Sequence, residues 1–197
     1  MKKTLKVAAV VLAAMIIAGF AFLIVVRGQF SAHLKEAYPG KTFSVGFVIV
    51  DPIYGNFVSK ADCLDDYTNF TVSKSWNTKK ISDNYPASKS QMQYNAMIGD
   101  IFEASPIIGE IESVTGGGKK PFDGSGNFDQ INFHLADEKE HASDIVAILR
   151  ILEVSGIEAQ RIIFTYEMDK HVYVARLSSE DYGLSGDEIK SRIEMLK

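Results

Sequence analysis

The densest group of side chains that could do chemistry in this chain is His134, Asp137, Glu138, Glu140 and His141. Imidazole and carboxylate together are the usual ligands of zinc and related cations. A zincin helix carries two histidines four apart with a glutamate beside the first. Here the histidines are seven apart, and the first falls on an expected strand. That spacing places His134 on a strand's solvent face and His141 in a first helical turn, so no metal centre is assigned. Asp123-Gly124-Ser125-Gly126-Asn127-Phe128-Asp129 sets oxygen side chains at alternate positions, as a hard cation needs. The sixth position should be glycine and is Phe128; the twelfth should be glutamate and is His134. Calcium is therefore not assigned.

Other motifs fail on spacing as well. Gly118-Lys119 is followed by Lys120 where a phosphate loop needs Ser or Thr, and Ser113 stands where its first glycine should be. There is no Gly-x-Ser-x-Gly nucleophile turn. Asp65 and Asp66 are adjacent, so in a strand they face opposite ways. They read as a solvated turn, not a carboxylate pair facing one cavity. The single cysteine, Cys63, forms no internal disulfide and reads as a small residue near a strand end. No catalytic, metal-binding or cofactor-binding residue follows from the sequence. The one site-like set is aromatic. Tyr54, Tyr67, Trp76 and Tyr85 fall at expected strand ends or loops, where such rings can contact a partner.

The elements around these residues begin with a hydrophobic run. Residues 7–26 are a run of 20 with no charged or polar side chain. At ~1.5 Å of rise per residue the run matches a hydrocarbon core of about 30 Å. Lys2, Lys3 and Lys6 precede it and only Arg27 follows closely. The positive-inside tendency keeps the N-terminus cytoplasmic and the rest outside. Residues 1–27 are thus expected to be an uncleaved single-pass anchor in the cell membrane. The alternative is a signal peptide cleaved near Ala21 and a secreted product, which would leave Phe22-Leu23-Ile24-Val25-Val26 on the new N-terminus.

The net charge of −4 hides an asymmetry. Removing the four bases of residues 1–27 leaves −8 for residues 28–197. Nucleic-acid binding rests on Lys and Arg neutralising phosphates, so an acidic soluble part argues against it.

Beyond the anchor, residues 28–40 have Phe30, Leu34 and Tyr38 on one helical face and stop at Pro39-Gly40. Residues 42–51 alternate as a strand with Phe43, Val45, Phe47 and Ile49 on one side. Strands follow over 57–62 and 68–76. Helical spacing returns over 90–114, interrupted at Ser105-Pro106, which suits an N-cap and first-turn proline of a second short helix bearing Ile107, Ile108 and Ile111. The Gly-rich stretch 116–127 separates an N-terminal half, 28–115, from a C-terminal half, 128–197. That second half reads strand, helix, hairpin, helix. Asp137 and Glu140 form a cap for its first helix. Asp169-Lys170 forms the hairpin turn. Ser185 and Glu188 make a capping box for a last helix carrying Ile193 and Leu196. The fold class is α+β: a transmembrane helix, then antiparallel sheets with helices on one face.

The anchor, the short helix ending at Tyr38-Pro39 and the segment KTFSVGFVIVDPIYGNFVSKADCLDDYTNFTV resemble the YfjL-like proteins of Gram-positive bacteria. The likeness covers residues 1–90. It implies a small membrane-anchored or exported extracytoplasmic protein and brings no catalytic residues. The expected function is non-enzymatic binding of a protein or cell-envelope component. Two other expectations stand beside it: a ligand-sensing or inhibitory module with a pocket between the two halves, and a hydrolase without a recognisable motif.

Overall fold

The computed structural model describes residues 2–196, with side chains from residue 10 onward. The chain is α+β and divides into two units, residues 1–89 and 90–197.

In the first unit a single helix, α1 (Lys2–Ala37), carries both the apolar run and the segment expected to be a separate short helix. Gly28 does not break it, because the hydrogen-bond ladder continues on both sides and packing outweighs the cost of about 1 kcal/mol for a helical glycine. From residue 10 to 25 nearly every side chain is exposed. Val26, Phe30 and Leu34, four residues apart, are then buried on one face. They lie on a five-stranded antiparallel sheet of β1 (Phe43–Val45), β2 (Ile49–Asp51), β3 (Asn56–Cys63), β4 (Asn69–Ser75) and β5 (Ile81–Asp83). Phe30 and Leu34 are fully buried, and removing such a side chain from water contributes about 1.5–3 kcal/mol.

Residues 42–51 do not form one continuous strand. Val45 pairs with Ala61 and Ile49 with Val58, so three residues on one strand face two on the other. This bulge reverses the alternation. Val48 turns inward, while Phe47 and Ile49, expected inside, are exposed.

Helix α2 (Tyr85–Glu103) carries the boundary between the units, so the expected start at residue 90 comes five residues late. The second unit continues with a 3-10 turn, Pro106–Glu110, capped by Ser105 as expected. Its sheet runs in the order β12 (Ile193–Leu196), β11 (His171–Leu177), β10 (Ile162–Met168), β8 (Gln130–Leu135), β6 (Ile111–Gly117). Ile111 opens β6 and does not belong to a helix. Helix α3 (Ala142–Val154) links β8 to β10, which pair in parallel, the exception in an otherwise antiparallel sheet. The short strands β7 (Asn127–Phe128) and β9 (Glu158–Ala159) also pair in parallel. Ile131, Phe133 and Leu135 of β8, with Ile162, Phe164 and Tyr166 of β10, point to one face and meet Ile98, Phe102, Ile145 and Leu149 of the helices.

Three local expectations change here. His141, not Asp137, stands at the N-cap position of α3, without a side-chain capping bond, and Asp137 accepts the Glu167 amide instead. Ser185 and Glu188 do form a reciprocal capping box on α4 (Gly186–Ser191). That helix ends after six residues, because Ile193–Leu196 pair with β11 instead of continuing it. The Gly-rich stretch lies inside the second unit, where Gly116 and Gly117 are the end of β6.

Candidate functional site

The four aromatic residues singled out from sequence do not gather. Tyr54 and Trp76 adjoin at one end of the first sheet, where the Trp76 amide donates to the Gly55 carbonyl at 2.9 Å. Tyr67 is exposed in the β3–β4 turn at the opposite end. Tyr85 is buried, edge-on to Tyr38 and Phe43 and tilted against Phe70.

The end holding Tyr54 and Trp76 is also where α1 meets the sheet first. Phe22 packs edge-on against Phe57 with ring centres 5.3 Å apart, and Phe57 contacts Trp76 at 5.8 Å. The turn beyond Phe57 is built by Asp51, whose Oδ1 accepts the amides of Ile53 and Tyr54 at 3.1 and 3.2 Å, and by Gly55 at φ +64. It leaves Ile53 87% and Tyr54 78% exposed. Trp76 Nε1 is buried there with no hydrogen-bond partner.

A polar network missed in the sequence holds the far end of the same unit. Asp66 accepts from the Tyr85 hydroxyl at 2.7 Å, from Lys41 Nζ at 3.2 Å and from Thr68 Oγ1 at 2.9 Å, with Lys89 Nζ at 3.2 Å. Burial alone would raise its carboxyl. The donors Tyr85, Cys63, Thr68 and Lys41 outweigh burial and hold it well below the ordinary carboxylate range. The Tyr85 hydroxyl is pushed up, first by burial and then by its bond to Asp66. Asp83 similarly accepts from Tyr38 at 2.7 Å and faces His33 at 3.0 Å. Asp66 thus lies in the β3–β4 turn beside the exposed Asp65, but its own carboxylate is engaged and not solvated. Its partners lie 19 or more residues away in sequence, apart from Thr68 and Cys63, so no local pattern reveals the network.

In the second unit the histidine-carboxylate cluster divides in two. His134 faces Glu112 at 3.3 Å and Thr165 at 3.2 Å on the exposed side of β8. His141 is fully buried, with Asp144 at 2.8 Å and the Ala136 carbonyl at 2.5 Å. Glu110, His141 and Asp144 converge closely enough to hold a cation. Lys139 supplies that charge, with its ammonium 2.5 Å from Glu110 and 3.3 Å from Asp144. The pair with Glu110 raises the Lys139 ammonium above its ordinary value. Glu138 is exposed at φ +71, and Glu140 pairs with Lys190 at 2.9 Å.

The oxygen-rich segment 123–129 does not converge on a point either. Asp123 accepts the Ser125 amide at 2.9 Å, and Asp129 accepts the Lys119 amide. Together with β9 and the turn at Ser178–Glu180, this segment lines an open cleft of about 790 Å³. Lys119, Lys120, Asp123, Glu158 and Glu180 surround it, and among the described residues none of the five has a salt-bridge partner. The first unit therefore offers an apolar end and the second a charged cleft.

No protein-family model, curated protein or solved structure matches the chain. One N-terminal helix is long and apolar enough to cross a membrane, a property shared by membrane anchors and signal sequences.

Proposed function

We propose that the chain is a single-pass, membrane-anchored binding module, not an enzyme, with its N-terminus in the cytoplasm and residues 28–197 outside. Its ligand is a protein segment or another polar component of the cell envelope, taken by the cleft of the second unit. The observation that carries the ligand reading is the ring of charges of both signs around that cleft without salt bridges of their own. Charges left in that state are available to a ligand that is itself polar, and they set orientation more than affinity.

The anchor reading is supported by the continuity of α1. Cleavage near Ala21 would cut inside a helix whose next turns, through Val26, Phe30 and Leu34, are core. The likeness of residues 1–90 to the YfjL-like proteins agrees with an extracytoplasmic place in a Gram-positive bacterium.

The test is crosslinking in intact cells followed by affinity capture, comparing the native chain with the charge-reversed variant K119E/K120E. A specific partner recovered by the native chain and lost by the variant is expected. Recovery of no specific partner by either form would overturn the binding reading. N-terminal sequencing of the membrane fraction should find Met1 or Lys2, and a soluble product starting at Phe22 would overturn the anchor.

A further inference from the structure

The apolar run and the sheet compete for the same stretch of α1. Spanning a hydrocarbon core takes about 20 helical residues, and residues 7–26 supply that number. Yet the sheet takes hold of the helix before the run ends: Phe22 meets Phe57, Leu23 packs on the core, and Val26 is fully buried in it. From Phe22 onward every turn of the helix is engaged by the sheet, which leaves residues 7–21 of the run ahead of that contact. Fifteen residues at ~1.5 Å each reach about 22 Å, some 8 Å short of the hydrocarbon core. The deficit closes if the end of the sheet next to Phe22 sinks into the bilayer by about that depth, which is the 5–10 Å typical of interfacial elements.

The side chains at that end suit such a position. Ile53 and Tyr54 project from the turn beyond Phe57, and Ile49 and Val50 on the adjoining edge strand are 62% and 50% exposed. Exposed apolar groups gathered at one end call for a partner surface. Tyr54 and the chain's single tryptophan, Trp76, are the aromatic types enriched at membrane interfaces. Lys79 and Lys80, exposed in the turn after Trp76, suit the anionic headgroups above. The acid nearest the turn, Asp51, is engaged by the amides of Ile53 and Tyr54.

We infer that the β2–β3 turn and its neighbours form a membrane-embedded rim, seated in the bilayer that α1 crosses, so that the first unit stands in the lipid interface and not on a free stalk. The inference rests on the anchor reading.

Trp76 makes the test direct. The full native chain is reconstituted into vesicles of phosphatidylcholine and phosphatidylglycerol, with part of the phosphatidylcholine brominated at the upper chain carbons. Flotation reports anchoring and Trp76 quenching reports the rim. An embedded rim lowers Trp76 emission about twofold relative to unbrominated vesicles, as expected for an indole at headgroup level. The doubly substituted variant I53D/Y54D should float equally well and lose most of that quenching. Flotation with unquenched Trp76 overturns the rim alone, as it would if a second copy or another protein covered this end. Equal quenching in the native chain and the variant also overturns it. Failure of the native chain to float overturns the anchor, and the rim with it.

Discussion

The hydroxyl of Tyr85 donates to Asp66 Oδ2 at 2.7 Å, joining the start of α2 to the β3–β4 turn inside the first unit. The carboxylate is mostly shielded and depends on its donors, while the Tyr85 ring is packed among Tyr38, Phe43 and Phe70. Tyr85→Phe keeps the ring and removes the donor. Losing a hydrogen bond to a charged group costs about 1.5–3 kcal/mol. Thermal unfolding of the full chain in detergent should therefore show Y85F less stable by that order. An unchanged midpoint would mean that Lys41 and Lys89 satisfy Asp66 without Tyr85.

The same carboxylate sets a pH dependence. Its folded pKa is depressed, so its stabilisation is present above the unfolded value of about 3.9 and is lost as pH falls below that value toward the folded one. Asp66→Asn removes this contribution. The variant should start less stable near neutrality and lose less stability than the native chain as pH falls into the acid range. Parallel acid profiles for the two proteins would place the acid sensitivity elsewhere.

How much of this was legible beforehand depended on whether the cause was local. The burial of Phe30 and Leu34 on one helical face, the turn chemistry at 51–56 and the Ser185–Glu188 box follow from spacing within a few residues, and these take their expected form, although Tyr38 falls just past the end of α1. The bulge at Gly46–Val48 could not be read in this way. It arises from a mismatch between two paired strands, and one extra residue moved Phe47 from the expected core to the surface. The fate of Ile193–Leu196 was also decided at a distance: alone they continue a helical stripe, but the edge of β11 offered a backbone ladder. The candidate sites were less legible than the fold. The second acids beside His134 and His141 come from Glu112 and Glu110, more than 20 residues earlier.

The β10–β11 hairpin offers a substitution in the stabilising direction. Asp169 and Lys170 both have positive φ, at 52° and 64°, between residues paired as Met168 with His171. A two-residue turn of this hand favours Asn-Gly. Lys170 carries a steric cost there that glycine does not. The double substitution D169N/K170G should raise stability by about 1 kcal/mol, read as a higher unfolding midpoint. A fall in the midpoint would show that the two native side chains contribute more than the turn's backbone preference.

His141 is buried by its ring and bonded by its nitrogens, with Tyr166 edge-on at 4.9 Å. His141→Ala removes the ring and leaves the Ala136 carbonyl without this partner. A cavity together with an unmet polar group should cost about 3 kcal/mol. Lys139 already supplies the positive charge among Glu110, His141 and Asp144. Chelator treatment of the native chain should accordingly leave its unfolding midpoint where it was, and a clear drop would show that a metal ion holds this corner.

The close approach of β6 to the aromatic core gives the sharpest steric expectation. A Cβ placed on Gly116 would overlap the ring of Phe128, which is buried between Tyr94 and the core. The backbone of Gly116 is fixed as well, with its amide donating to Asn95 Oδ1 at 3.0 Å and its carbonyl accepting from Gln91. The strand cannot withdraw from the ring without breaking those bonds. Gly116→Ala should therefore cost about 1–3 kcal/mol through overpacking. Phe128→Leu in the same chain would free space at the ring position and recover part of that loss. Gly109, with open space where its Cβ would be, serves as the control: Gly109→Ala should change stability far less. Equal losses at both glycines would show that backbone freedom, and not the Phe128 ring, sets the cost at Gly116.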